Sequence, residues 1–157
     1  MTDFVTLAHG AGGKQTAELI DRVFKSHFAN PNFTGDDAAV LPAPQGRIAM
    51  TTDGFIVSPR FFPGGNIGKL AICGTVNDLA CMGAVPKYLT CAFVIEEGFE
   101  IKKLEEIAEA MEKTALEAGV CIVAGDTKGG QTASHTFAPY TDILAGVANN
   151  GRVAGCS

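Results

Sequence analysis

The most regular pattern of hydrophobic and polar positions lies at residues 96–119. Apolar residues recur there every three or four positions and Glu and Lys fill the places between them, which predicts an amphipathic helix. The inner face of this helix consists of Leu104, Ile107, Ala108, Met111 and Ala115. Gly119 follows the last apolar position, and glycine often ends a helix there.

Two other stretches also predict helices, with fewer charged residues than the first. After a glycine loop, residues Ala17, Ile20, Phe24 and Phe28 have helical spacing and predict a first helix. A further helix is expected from about Ile67 to Met82, with Asn66 as its N-cap. This helix is apolar and rich in small residues.

The apolar helix at 67–82 carries two polar neighbours, Asn77 and Asp78, in its middle. Asp78 shares a face with Gly74 and Thr75 by helical spacing, so another element or a ligand could approach closely there. A buried carboxylate is costly unless it is paired or bound to metal. The pattern therefore suggests a cation beside Asp78.

Short runs of β-forming residues alternate with these helices and predict strands. The predicted strands are 38–41, 47–53, 87–95, 120–127 and 142–148, with a further extended segment at 4–9 and a loop at 59–66. The first two strands could form a hairpin, so an all-parallel sheet is not expected. The fold class is α/β with a mixed sheet, in a single domain covering residues 1–157.

Composition and charge narrow the class of protein. The chain has 157 residues, of which 46% are hydrophobic and 18% charged, and these values are typical of a compact globular domain. A net charge of −5 disfavours binding to nucleic acid or to an anionic membrane, but not to ATP with Mg²⁺. No apolar run is long enough to span a membrane, and the start of the chain does not resemble a signal peptide.

The five cysteines form no CxxC pair, and four of them lie in apolar runs: Cys73, Cys81, Cys91 and Cys121. We expect these four to be small buried residues rather than ligands or disulfides, with the cytoplasm as the compartment.

Aspartates recur beside predicted strands and loops. Asp36 and Asp37 precede the strand at 38–41, Asp53 ends the next strand, and Asp126 ends the strand at 120–127. Hard oxygen ligands at such positions suit Mg²⁺, which takes a few carboxylates together with phosphate oxygens and water. Each aspartate taken alone could equally shape a turn or cap a helix.

The stretch HGAGGKQT is a candidate phosphate-binding loop. Gly12 and Gly13 would allow a close approach of the backbone, and Lys14 adds positive charge. The stretch is not a Walker A motif, and a plain flexible loop is about as good an interpretation. Lys69, at the start of the second long helix, could contact phosphate or be solvated. No catalytic residue can be assigned.

Four stretches together resemble a known family: GDDAAVL, TTDGF, FFPGGNIGKLAICGTVNDLACMGAVPKYL and VAGDTK. They are similar to the N-terminal half of the AIR synthase (PurM-like) superfamily. LAHGAGGK, FFPGGNIGKLAICGTVNDLA and GDTK look specifically like the HypE proteins of that superfamily, which mature hydrogenases. The resemblance covers residues 5 to about 128.

This resemblance implies an activity and a set of binding residues. HypE proteins use ATP to dehydrate an S-carbamoyl group on a cysteine to S-cyanocysteine, the source of cyanide for [NiFe]-hydrogenase. By motif, Mg²⁺ would be held by Asp37, Asp53, Asp78 and Asp126. The residues that would contact ATP are Gly12, Gly13, Lys14, Lys69, Asn77 and Thr127. The fold would have a four-stranded mixed sheet flanked by helices, pairing into a β-barrel across a homodimer.

The resemblance also implies partners and leaves alternatives open. The partners would be a HypF-type carbamoyltransferase and the HypC–HypD complex. Family members are about twice as long, so we expect this chain to lack the second domain and to be half of the enzyme. Cys156 is not expected to be the carbamoyl acceptor, because its surroundings differ from the family's terminal tail. The chain could instead be a non-catalytic dimerisation module or another superfamily enzyme, such as a thiamine-monophosphate kinase.

Overall fold

The computed structural model describes residues 3–36, 38–42 and 47–130, together with the backbone of 143–146. In chain order, the elements are a 3₁₀ turn (Leu7–Gly10), α1 (Lys14–Leu19), a π-helical segment (Ile20–Lys25), α2 (Ser26–Phe28), β1 (Thr52–Asp53), β2 (Phe61–Phe62), β3 (Gly65–Asn66), α3 (Ile67–Cys81), β4 (Tyr88–Glu96), α4 (Ile101–Ala118), β5 (Cys121–Gly130) and β6 (Ile143–Gly146). None of the helices in these ranges is long and apolar enough to cross a membrane.

The main sheet has four strands in the order β1-β6-β4-β5. Strands β4 and β5 are parallel and are joined through α4, because a parallel pair needs a long crossover connection. Strand β6 is antiparallel to both of its neighbours, β1 and β4. The sheet is therefore mixed, with β1 and β5 at opposite edges.

The core lies on one face of this sheet. Alternate residues of β4, namely Leu89, Cys91, Phe93 and Ile95, are buried and belong to one cluster with the helices. The ring of Phe24 stacks on that of Phe93 with 4.7 Å between centroids, which seats the first helix on the sheet. The segment that leads into β1 carries exposed apolar side chains, including Ile48 and Met50, at 53% and 75% exposure.

The structure confirms the amphipathic helix, which is α4. All five residues of its predicted inner face are buried. Gly119 ends it in the left-handed conformation, at φ 69°, where a side chain would be strained.

Helix α3 is also confirmed, with Asn66 as its N-cap. The Asn66 side chain accepts hydrogen bonds from the backbone N–H groups of Gly68 and Lys69, at 3.0 and 3.1 Å. The expectation of a buried carboxylate was wrong, because Asn77 and Asp78 are both exposed. The buried polar residue of this helix is Thr75, whose hydroxyl has no hydrogen-bond partner among the described residues.

The buried face of the first helix differs from the one predicted. Ala17 is exposed, whereas Leu19 and Val23 are buried together with Phe24 and Phe28. A π-helical segment lies in the middle of this helix. Its wider turn rotates the following residues relative to a regular α-helix, so a spacing of 3.6 residues does not describe the buried face.

Three predictions about extended segments were wrong. Residues 38–42 and 47–51 form no strand, and the β-structure there is limited to Thr52–Asp53. Residues 4–9 contribute one isolated bridge, from Phe4 to Glu100, followed by the 3₁₀ turn. The predicted loop 59–66 contains the small β2–β3 hairpin. In this hairpin Gly64 has φ 91°, as the third position of a type II turn requires after a proline.

Two smaller expectations also need correction. Strand β5 continues four residues past Asp126, to Gly130. Cys91 is buried and Cys73 and Cys121 are partly buried, but Cys81 is exposed. The predicted last strand is represented by β6, in the interior of the sheet.

Helices α3 and α4 cross closely at Gly68, and Gly68→Ala tests this contact. An added Cβ would lie 2.6 Å from the Ile107 carbonyl oxygen and 2.7 Å from Met111 Cγ. We expect overpacking to cost about 1–3 kcal/mol of unfolding free energy and to lower Tm by roughly 2–4 °C per kcal/mol. Thermal unfolding measures the shift. Gly54→Ala is the control, because a Cβ at Gly54 meets no atom within 4 Å, and equal Tm values for the two variants would contradict the prediction.

Candidate functional site

A cavity of about 310 Å³ lies between the first helix and the β4–β5 pair. Its walls come from three parts of the chain: the N-terminal loop with the first helix, the inner face of β4, and β5. The lining residues are Gly10, Ala11, Gly12, Thr16, Ile20, Phe24, Phe28, Phe33, Cys91, Phe93, Ile122, Ala124, Gly125, Asp126, Thr127 and Lys128.

The inner wall of the cavity is aromatic. Phe24 stacks between Phe28 and Phe93, with 6.1 and 4.7 Å between ring centroids. Cys91 is fully buried beside them, and burial raises the pKa of its thiol well above the ordinary value. This thiol therefore stays protonated and acts as an apolar wall atom.

The N-terminal wall is a glycine turn held by Thr16. The Thr16 hydroxyl accepts the backbone N–H of Gly12 at 3.0 Å and donates to the carbonyl of Ala8 at 3.2 Å. Since Gly12 already has a partner for its N–H, this group is not free to bind phosphate. Gly13 and Lys14 follow at the start of α1 and are exposed, with Lys14 Nζ 3.7 Å from Glu18.

The third wall is the middle of β5. Thr127 pairs with Phe93, so it faces the helices and the cavity, while Asp126 pairs with Ala92 on the opposite face. Lys128 Nζ lies 3.0 and 2.9 Å from the two carboxylate oxygens of Asp126. This hydrogen bond holds the pKa of Asp126 below its ordinary value; burial opposes the shift and the Thr127 N–H contributes to it.

This arrangement suits one kind of ligand. An apolar, aromatic interior can hold a flat ring, whereas the rim at Thr127 and Lys128 offers a hydroxyl and a cation. Binding sites for small molecules typically combine such walls with a few polar groups. A ligand with an aromatic body and an anionic tail therefore fits the chemistry of the cavity.

A second group of predicted residues meets at the other edge of the sheet. Thr51 Oγ1 donates a hydrogen bond of 3.4 Å to Asp78 on α3. Asp53 follows on β1, and its carboxylate accepts the N–H of Gly54 at 2.9 Å. The ring of Phe55 packs so close to Gly74 that a Cβ there would lie 2.5 Å from it. The small face of α3 thus receives strand β1 and its flanking residues.

The structure separates the predicted site residues into these two groups. Gly12 and Thr127 line the cavity, and Asp126 borders it, with its side chain on the opposite face of β5. Lys69 lies elsewhere, where its ammonium donates to the Gly64 carbonyl at 3.0 Å and closes the β2–β3 turn. Asn77 is exposed on α3, and Asp37 lies outside the described residues.

The aspartates do not form one cluster within the described part of the chain. Strands β6 and β4 lie between Asp53 and Asp126, so three strand spacings, about 14 Å, separate their backbones. In residues 3–36, 38–42 and 47–130, no group of three His, Cys, Asp or Glu side chains could hold a metal. A shared magnesium site for the four aspartates stays a prediction.

Sequence reasoning missed most of the cavity. Its aromatic wall combines three phenylalanines of the first helix and the loop after it with one from β4, about sixty residues later: Phe24, Phe28, Phe33 and Phe93. Thr16 and Lys128 were not predicted either. The sequence signal that could have suggested Lys128 is the GDTK motif, of which it is the last residue.

Comparison with known proteins identifies the class to which this fold and site belong. The sequence profile of the family described as AIR synthase related protein, N-terminal domain, matches residues 35–156. The chain therefore belongs to this family.

Its similar relatives are HypE proteins. The carbamoyl dehydratase HypE of Rhizobium leguminosarum bv. viciae is 52% identical over 125 residues, which is 79% of this chain and 36% of that protein. A crystal structure of hydrogenase maturation protein HypE in complex with ATP superposes with a TM-score of 0.85 at 43% identity, covering 92% of this chain and 42% of that one. In a HypE–HypF complex, the similar chain has a TM-score of 0.61 and 48% identity, over 83% of this chain and 42% of that one. The chain thus spans well under half the length of these relatives.

Replacement of Lys128 by Met tests the electrostatics at the rim. We expect the pKa of Asp126 to rise, because its main hydrogen-bonding cation is gone. Since the folded-state pKa is lowered in the parent, the stabilisation by ionised Asp126 is present above the unfolded-state pKa and disappears as pH falls through the folded-state pKa. In Lys128→Met this stabilisation is smaller, and its loss is complete at a higher pH.

Carboxyl-carbon NMR titration measures the Asp126 pKa directly. Lys103→Met is the matched control, because it removes the lysine of another exposed ion pair, the one with Glu100. An unchanged Asp126 pKa in Lys128→Met would contradict the assignment of the shift to Lys128.

Proposed function

We propose that this chain is the ATP-binding part of a HypE-type carbamoyl dehydratase that acts in hydrogenase maturation. The observation that carries the proposal is the cavity, which brings the N-terminal glycine turn and the GDTK segment to one aromatic pocket. Support comes from the similarity to a HypE structure that contains ATP. The complete reaction belongs to proteins more than twice as long, so this chain supplies only part of the machinery.

The cavity supports a specific placement of the nucleotide. The adenine ring enters between the aromatic wall and β5, where stacking and apolar burial favour a flat ring. Its phosphates run out along the rim, past Thr127 and Lys128. The Lys128 ammonium then exchanges its contact with Asp126 for a phosphate oxygen, a charge-assisted contact of the same type.

The carboxylates of the site would hold Mg²⁺ only together with the phosphates of the nucleotide. Mg²⁺ is commonly bound by one or two carboxylates together with the phosphates of its ligand. Asp126 stands at the rim and becomes available when Lys128 moves to phosphate. Asp53 and Asp78 lie at the other edge of the sheet, about 14 Å from Asp126 by strand spacing, so with Asp37 they would bind a separate ion.

The chemical use of ATP follows from the substrate. An amide oxygen is a poor leaving group, and transfer of the γ-phosphoryl group to it makes the departing group phosphate. An S-carbamoyl group and ATP then yield an S-cyano group, ADP and phosphate, with the amide oxygen retained in the phosphate. Catalysis of such a step depends on positioning and on neutralisation of charge.

The uncovered face of the sheet supports a homodimer. Apolar side chains in the segments before and after β1, at positions 48, 50 and 56, are exposed at 53%, 75% and 58%, and Val40 is exposed at 91%. In β4, Ala92 and Val94 face the same side, away from the helices. We propose that two copies pair through this face into a β-barrel, because so much exposed apolar surface marks an interaction site.

Partners follow from the same relatives. A HypF-type carbamoyltransferase is proposed as the donor of the carbamoyl group, on the basis of the similar HypE–HypF complex. The HypC–HypD complex is proposed as the acceptor of cyanide, on family resemblance alone.

A titration with Mg-ATP tests the nucleotide proposal. Ile20→Trp fills the cavity, so we expect its affinity for ATP to fall at least about tenfold, while the affinity for magnesium tripolyphosphate, which has no base, changes little. Isothermal calorimetry measures both. Val85→Trp is the control, because Val85 is 53% exposed and does not line the cavity. Failure of the parent chain to bind millimolar ATP would overturn the function and favour an assembly module.

The same titration tests the metal. Removal of Mg²⁺, or Asp126→Asn or Asp78→Asn in its presence, is expected to weaken ATP binding, because the phosphate charge loses its counter-ion. Glu109→Gln removes an exposed carboxylate from α4 and serves as the control. If only one aspartate variant loses the magnesium dependence, that residue and not the other belongs to the metal site.

A charge on the open face tests the dimer. Met50→Glu places a carboxylate in the proposed interface, so we expect dissociation to monomers in sedimentation experiments. Leu116→Glu places the same charge at a residue of α4 with 73% exposure, on the helical side, and should leave the dimer intact. A monomeric parent chain, or a dimeric Met50→Glu, would argue against pairing through the sheet.

A further inference from the structure

The glycine turn that walls the cavity belongs to an N-terminal strap, residues 3–12, which is fastened to the body at its start. The N–H of Val5 donates to the Phe99 carbonyl at 2.8 Å, and the N–H of Gly98 donates back to the Val5 carbonyl at 2.7 Å. The N–H of Ile101 adds a third bond to Asp3, at 3.0 Å. The beginning of the strap therefore cannot move without breaking three backbone hydrogen bonds.

Two further contacts set the course of the strap toward the cavity. The Thr6 N–H donates to His9 Nδ1 at 3.0 Å, which closes the 3₁₀ turn. Gly10 then lies directly on β5, where an added Cβ would be 1.9 Å from the Gly129 nitrogen. Because no side chain fits there, backbone rests on backbone, next to the rim formed by Asp126, Thr127 and Lys128.

The turn itself is held by one buried side chain. Thr16 is 9% exposed. Its hydroxyl accepts a hydrogen bond from the Gly12 N–H and donates one to the Ala8 carbonyl, so both bonds lie within the turn. These two bonds bridge the residues on either side of Gly10. A hydroxyl in this position ties the strap to α1, because Thr16 lies in the first full turn of that helix.

We infer that Thr16 is a positioning residue for the ligand of the cavity: it holds the glycine turn against β5 so that Gly10–Gly12 form the outer wall. This role rests on the proposed binding of ATP. Without the hydroxyl, the Gly12 N–H and the Ala8 carbonyl form hydrogen bonds with water instead. The outer wall then moves away from the site where the nucleotide stacks.

The test compares Thr16→Val with Thr16→Ser. Valine preserves the shape and removes the hydroxyl, whereas serine retains it. We expect the dissociation constant for Mg-ATP to rise about tenfold in Thr16→Val, as for a buried pair of hydrogen bonds, and to stay near the parent value in Thr16→Ser. Amide hydrogen exchange at Gly12, measured without nucleotide, should accelerate in Thr16→Val and not in Thr16→Ser.

Thr114→Val is the matched control. Thr114 is also a buried threonine, at 7% exposure, and its hydroxyl bonds to the Ala110 carbonyl at 2.7 Å, but it lies on α4 and does not line the cavity. We expect this variant to lower Tm without a change in ATP affinity. A parallel Gly10→Ala variant displaces the turn from outside and should weaken ATP binding even if Thr16→Val fails to fold.

The outcomes separate this inference from the proposed function. If the parent chain binds ATP and Thr16→Val binds equally well, the positioning role is overturned and the function stands. If Thr16→Val and Thr114→Val lose affinity equally, Thr16 has only a structural role and the inference is overturned. If the parent chain does not bind ATP at all, the proposed function and the inference both fall.

Discussion

Burial of the sheet on one face only is the constraint on which the rest of the structure depends. Every described helix contributes to the core cluster on that face, and the rings of Phe24 and Phe93 join the first helix to β4. On the opposite face Ala92 and Val94 of β4 are only partly buried, and Met50, just before β1, is exposed. A sheet with exposed apolar residues on one side is stable in water when something covers that side. The same asymmetry creates the cavity, because the first helix ends over the β5 edge.

Close backbone approaches place the parts of the site. Gly68 lets α3 and α4 cross, and Gly74 admits the ring of Phe55 against α3. Gly125 faces Cys91 across the β4–β5 pair, where a Cβ would lie 2.4 Å from the Cys91 carbonyl oxygen. At each of these positions a side chain would push two elements apart. Gly125 itself lines the cavity, whereas Gly68 and Gly74 set the packing of α3 against α4 and against Phe55.

The features that could be predicted from sequence are those with local causes. The inner face of α4 and the cap at Asn66 depend on residues within a turn or two, so spacing and residue type are sufficient. The buried face of the first helix could not be predicted from helical spacing, because the π-helical segment at Ile20–Lys25 changes the number of residues per turn. The segments 38–41 and 47–53 have the composition of strands, but a strand also needs a partner. Among the described residues only Thr52 and Asp53 find one.

The sequence by itself determined the class of the fold and, through its long glycine-rich block, the family. It also identified the glycine loop and the aspartates as candidates for binding phosphate and magnesium. Tertiary structure alone decided which of these residues share a site. It joined Gly12 and Thr127 to four phenylalanines, left Lys69 at a hairpin turn, and placed Asp53 and Asp126 at opposite edges of the sheet. The physical reason is that a cavity is defined by elements distant in sequence, and their order in a sheet depends on long-range pairing that local patterns do not contain.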